Sequence, residues 1–183
     1  MTYINRRHFI GTAVAGIGSL CAAGLFSVSS ATAPSSQKKA IYICSICGHI
    51  EFGTIPATCP MCRSAKEVFE ANDAIFSESE TKFKDVAQKH IPIVSVRKKS
   101  ELITEGPSIS VQVKIGNPIH PSTDSHRIRF IDCYIDDVYT GCFLPKINSY
   151  PAVGFEIKPP GSIVRIVALC SQHGYWQTEI SVG

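Results

Sequence analysis

The chain has 183 residues, 44% of them hydrophobic and 18% charged, with a formal net charge of +3. That balance excludes a disordered polypeptide, and no basic run interleaved with aromatics is present to support nucleic-acid binding. The length suits one large or two small domains.

Charge divides by region. Residues 1–39 hold four basic and no acidic groups, residues 40–80 two basic and six acidic, and residues 81–183 twelve basic and nine acidic. An acidic module therefore precedes a mildly basic one. Such a pair can dock by charge, and the basic excess suits a small anion.

Asn5, Arg6, Arg7, His8, Phe9 and Ile10 precede an apolar Gly- and Ala-rich stretch from Gly11 to Val28, and then Ser29-Ser30-Ala31-Thr32-Ala33. Paired arginines, a weakly apolar segment and small residues make the layout of a twin-arginine export signal, expected over residues 1–33. Periplasmic or other extracytoplasmic placement follows. Pro34 disfavours cleavage after Ala33, so cleavage after Ala31, or a retained anchor of about 20 apolar residues, stays open. Leu20 stands where a lipobox needs a small residue, which argues against lipidation of Cys21. Residues 34–39 read as a polar linker.

Cys44-Ser45-Ile46-Cys47 and Cys59-Pro60-Met61-Cys62 are two C-x-x-C knuckles separated by eleven residues. Each turn brings two sulfurs to one side, and four thiolates at this spacing can hold iron or zinc. A disulfide pairing in an oxidising compartment is the other reading. With the lead-in Ala40-Ile41-Tyr42-Ile43 and the segment Ala65 to Glu70, the region resembles the rubredoxin-like module that accompanies iron domains such as that of rubrerythrin. The resemblance implies an iron module over residues 40–73. Arg63 departs from it, because a small residue usually follows the last cysteine.

Beyond Lys82, short alternating apolar runs predict seven strands: 91–97, 109–115, 127–135, 138–144, 152–157, 162–169 and 175–180. Gly106-Pro107, Gly116-Asn117-Pro118, Asp136-Asp137, Tyr150-Pro151 and Pro159-Pro160-Gly161 break them, a spacing that favours an antiparallel, immunoglobulin-like β-sandwich. No segment shows a helical period of any length. A two-residue turn at Asp136-Asp137 would place Cys133 opposite Thr140, so Cys133 and Cys142 are expected to be buried free thiols, with a cross-strand disulfide as the alternative.

His90, His120, His126, Cys170 and His173 fall at strand ends beside turn signals. Taken singly, a histidine beside proline is an ordinary turn residue and a lone cysteine an ordinary core residue. Together, four imidazoles and a thiolate answer few structural needs other than a metal.

The motifs Lys89-His90-Ile91-Pro92-Ile93, His120-Pro121, His126, and Cys170-Ser171-Gln172-His173-Gly174-Tyr175-Trp176 resemble, in order and spacing, the desulfoferrodoxin and superoxide reductase family. The resemblance covers residues 82–183. It implies a mononuclear iron held by the nitrogens of His90, His120, His126 and His173 and by the Cys170 sulfur as axial ligand, with a sixth position open. It further implies one-electron reduction of superoxide to hydrogen peroxide, Lys89 near the open face, an external one-electron donor acting through the four-cysteine iron, and a homodimer.

Gln88 stands where many members carry a glutamate that caps the oxidised iron. Water, hydroxide or another group is expected there instead, with Asp85 as a substitute carboxylate. Two other classes remain: a non-catalytic iron electron-transfer protein, and a module that binds or stores iron beside a zinc ribbon.

Overall fold

The computed structural model describes residues 39–158 and 163–182. The expected export signal, the possible anchor and all but the last residue of the expected linker lie outside the described residues. Among the described residues, no helix is long and apolar enough to cross a membrane.

Strand β1 (Ile41–Cys44) runs between β2 (Ile50–Phe52) and β3 (Phe69–Ala71) in a small antiparallel sheet. The first C-x-x-C knuckle forms the turn from β1 to β2. There Gly48 at φ +85 lets its N–H reach the Cys44 carbonyl and aligns Cys44 N–H with the His49 carbonyl. The second knuckle closes through Arg63 N–H to Cys59 O and Cys59 N–H to Ser64 O. Arg63 adopts φ +68, a left-handed conformation that costs a non-glycine residue roughly 1–2 kcal/mol. The departure noted in the sequence is thus a real conformational demand.

Helix α1 (Ile75–Lys82) follows, where the sequence showed no helical period. It has only eight residues and buries only Phe76 and Ser79, so its amphipathic signal is too short to read. Tertiary packing holds it instead: the Ser79 hydroxyl accepts the Tyr175 N–H at 2.9 Å.

The seven strands expected after Lys82 form two antiparallel sheets. One has the order β4 (Pro92–Arg97), β5 (Ile109–Ile115), β8 (Ala152–Ile157). The other has the order β10 (Gly174–Ser181), β9 (Ile163–Cys170), β6 (Ile128–Ile135), β7 (Val138–Phe143). Alternation along β5 points Ile109, Val111, Val113 and Ile115 into the space between the sheets. There they meet Ile128, Ile131 and Cys133 of β6 and Val164, Ile166, Ala168 and Cys170 of β9.

Strands β6 and β9 are buried on both faces, and this explains their nearly unbroken apolar sequences. Their outer face, with Phe130, Tyr134, Val167 and Leu169, packs against Ile41, Ile50 and Phe52 of the first module and Phe76 of α1. Residues 38–183 therefore make one compact unit with a shared core. The local charges at this contact run opposite to the regional balance. Lys39, immediately before the first module, pairs with Asp137 at 3.1 Å, and His49 pairs with Asp132 at 2.9 Å.

The β6–β7 register corrects the sequence reading. An irregularity between Cys133 and Tyr134 places Cys133 opposite Gly141, not Thr140, and Cys142 opposite Asp132. Both are free thiols; Cys133 is buried in the inter-sheet core as expected, whereas Cys142 is only half-buried, against the outer one.

Candidate metal centres

The four knuckle cysteines converge at the edge of the small sheet. Cys44 and Cys62 have their sulfurs 3.6 Å apart, as do Cys47 and Cys59, and one ligand atom from each lies within 4.8 Å of the others. These separations far exceed the roughly 2 Å of a disulfide, and all four thiols are free. Burial drives the Cys47 thiol well above its ordinary range. The Ser64 hydroxyl and N–H pull Cys62 down to about 6. A set with one favoured thiolate and buried neighbours becomes fully ionised when a cation supplies the missing charge. The residues fit a four-sulfur metal, iron or zinc alike.

The second set gathers at one end of the sandwich from four connections. His90 ends the 3-10 turn Lys84–Lys89, His120 lies past β5, His126 precedes β6, and Cys170 and His173 belong to the β9–β10 hairpin. Adjacent rings His90–His120, His120–His126, His126–His173 and His173–His90 stand edge to face at 4.6–4.8 Å. His90 and His126 face each other across this square at 5.9 Å and 28°. The Cys170 sulfur sits 3.4 Å from His120 Nε2 and 3.6 Å from His173 Nδ1. Ligand atoms of His90, His126, Cys170 and His173 lie within 4.8 Å of one another, and His120 joins them through its contact with the sulfur.

Hydrogen bonds fix which nitrogens face inward. His90 Nδ1–H donates to Val86 O at 2.8 Å and His120 Nδ1–H to Pro121 O at 2.6 Å, which leaves each Nε2 with its lone pair. His90 Nε2 is buried with no hydrogen-bond partner, a deficit that a metal would remove. Burial lowers the affinity of His90, His126 and His173 for a proton and holds His120 at about 4, so the rings are neutral donors at neutral pH. Burial raises the Cys170 thiol, while N–H groups of Gln172 and His173 turned toward the sulfur oppose that shift. The donor set fits a transition metal bound by imidazole and thiolate.

Lys89 is exposed beside the histidine square, and its charge is felt by both His90 and His126. Gln88 and Asp85 are exposed on the same 3-10 turn, and the Gln88 carbonyl accepts the Asn117 N–H at 2.9 Å. Gly116, at φ +80, lies directly against the Lys89 backbone, where a Cβ would run into the Lys89 carbonyl.

Sequence reasoning gave no role to the groups that hold the rings. Trp176 stacks on His90 at 5.1 Å and donates from Nε1 to His173 O at 3.0 Å, while Phe83 meets His173 edge-on at 4.8 Å. Trp176 stood in the motif that carried the resemblance. The Val86 and Pro121 carbonyls had no side-chain signal at all.

Comparison with known proteins places both modules. Residues 82–179 match the family described as desulfoferrodoxin, and residues 42–70 match the rubredoxin-like domain of rubrerythrin. The desulfoferrodoxin of Desulfarculus baarsii is 26% identical over 143 residues, 78% of this chain and 98% of its own. A Methanocaldococcus jannaschii protein whose name, superoxide reductase, is provisional is 27% identical over 100 residues, 52% of this chain and 83% of its own. The fold is similar to that of the superoxide reductase from Treponema pallidum, with a TM-score of 0.52 at 19% identity, covering 78% of this chain and 99% of that one.

Proposed function

The chain belongs to the desulfoferrodoxin family, and on that footing we propose that it is a superoxide reductase with iron at both centres. The observation that carries the reading is the square of four neutral imidazoles with a cysteine sulfur in contact with two of them, at an end of the sandwich where Lys89 is exposed. Superoxide takes up one electron and two protons to give hydrogen peroxide. Iron, if held by His90, His120, His126, His173 and Cys170, would supply the electron.

The residues of the chain do the rest. Val86 O and Pro121 O orient His90 and His120 and strengthen them as donors. The Cys170 thiolate contributes electron density to the site, which favours release of the reduced product. Lys89 attracts the anion by its charge and holds water from which protons reach the product. Trp176 and Phe83 close the flanks of the square to water. Gln88, an amide, brings no negative charge to the exposed side, so it does not repel the substrate.

Iron held by Cys44, Cys47, Cys59 and Cys62 would take electrons from an external one-electron donor and pass them to the second site. The arrangement Arg6-Arg7, apolar stretch and Ser29 to Ala33 supports export of the folded protein by the twin-arginine route, with residues 1–33 as the signal and a membrane anchor if it is retained. Modules over 40–73 and 82–183 and a homodimer complete the reading. Sedimentation of the metal-loaded protein tests the dimer, and a single monomeric species would remove it.

The function itself is tested with Cys170→Ser. The intact, prereduced protein is expected to convert superoxide to peroxide, and the variant to lose that activity while the first centre keeps its spectrum. Reversible redox cycling of both centres without superoxide consumption would make the protein an electron carrier.

A further inference from the structure

The two ligand sets are joined within one chain by a part-buried connection. Gly48 follows Cys47 directly, and the peptide linking Gly48 to His49 has a partner at each end. Its N–H, from His49, is turned toward the Cys47 sulfur, and its carbonyl, from Gly48, accepts the Tyr175 hydroxyl at 2.8 Å. Tyr175 lies two residues after His173, and its cross-strand partner is Leu169, the residue before Cys170.

Gly48 is pressed so closely on this hairpin that a Cβ built there would lie 2.8 Å from the Tyr175 hydroxyl oxygen and 2.9 Å from Leu169 Cδ2. The Tyr175 ring is buried among Phe76, Phe130 and Leu169, and its backbone N–H is tied to Ser79 Oγ.

We propose that Tyr175 is the intrachain electron bridge between the two centres, through the Gly48–His49 peptide on one side and the His173 and Leu169–Cys170 segments on the other. This deepens the functional reading and rests on iron at both centres. One electron leaves the reduced four-sulfur iron, which becomes ferric, and enters the oxidised second iron, which becomes ferrous. No bond is made or broken, and no proton moves. An external one-electron donor restores the first centre. Tyr175 is neither oxidised nor deprotonated; it shortens the through-space part of the route to one hydrogen bond. It is a positioning residue, not a ligand.

The test uses the full iron-loaded chain without superoxide. Both centres are oxidised, a pulse of a small one-electron reductant reduces the first, and visible absorption follows the electron to the second. The expected transfer is first-order and independent of protein concentration. Tyr175→Phe, which keeps the ring and removes the hydrogen bond, is expected to slow it several-fold with both midpoint potentials unchanged. A rate proportional to protein concentration would show that electrons cross between chains and would overturn the proposal. An unchanged rate in Tyr175→Phe, or a first centre that takes up only zinc during iron-replete expression, would overturn it too. Because superoxide is absent, a failed peroxide assay leaves this result standing.

Discussion

His49 and Asp132, 83 positions apart in the chain, meet at 2.9 Å with neither side chain exposed to solvent. Burial disfavours charge on the imidazole, but hydrogen bonds to Asp132 and Glu51 outweigh it and raise the His49 pKa to about 9. The pair therefore sits charged at neutral pH in the contact between the two modules, with Tyr134 bonded to both Asp132 and Ile50 O.

Replacing Asp132 with Asn leaves His49 buried without its main counter-charge. The expected loss is about 3 kcal/mol of stability, the scale for breaking a buried pair from one side. Denaturant unfolding of the metal-loaded protein measures it. A loss under about 1 kcal/mol would show that Glu51 alone satisfies the imidazole.

What the sequence could show, and what it could not, follows from the range of each interaction. The seven strands of the sandwich were legible because alternation and turn residues are local, and the clustering of the candidate ligands because metals demand particular side chains at particular spacings. Helix α1 was not, since Phe76 and Ser79 alone define its buried face. Nor was the shift at Cys133/Tyr134, which depends on how β6 meets β9 and β7 together. His49 carried no signal of its own in the sequence, because its partner Asp132 on β6 is distant in the chain. The apolar residues of β6 at Phe130, Ile131, Cys133 and Tyr134, which fall on both faces of the strand, did hold the clue that both faces were covered.

Gly116 permits the β5 turn to lie against the Lys89 backbone, one residue before His90. Gly116→Ala should destabilise the protein by more than the roughly 1–2 kcal/mol of a left-handed alanine, because the Lys89 carbonyl must also move. The variant is expected to lose iron from the second centre and retain it at the first, as metal analysis and visible absorption would show. Full occupancy of both would mean that the turn adjusts without disturbing His90.

Lys89 carries charge beside the histidine square without serving as a ligand. Lys89→Ala should lower the rate constant for superoxide by about tenfold at low ionic strength and flatten its dependence on salt, the signature of lost steering. Absorption of the iron site should be unchanged. An unaltered rate at low salt would assign the attraction to other cations.

Asp137 is partly buried, which alone would raise its pKa, but Lys39 and Arg165 more than offset this and hold its carboxyl below the ordinary value of 3.8. A depressed folded pKa means that the ion pairs contribute fully above 3.8 and are lost as pH falls from there through the folded value. Asp137→Asn should therefore reduce stability at neutral pH, and the difference from the parent should shrink below that point. A difference constant down to acid would show that packing, not charge, is what the substitution removes.

The central claim is that the second centre reduces superoxide, and stopped-flow or pulse-radiolysis mixing of superoxide with the reduced, iron-loaded protein tests it most directly. Oxidation of the second-site iron is followed by its thiolate absorption while peroxide is counted. One peroxide formed for each second-site iron oxidised is the predicted result. An intact second iron that stays reduced in the presence of superoxide, while the first centre cycles normally, would contradict it.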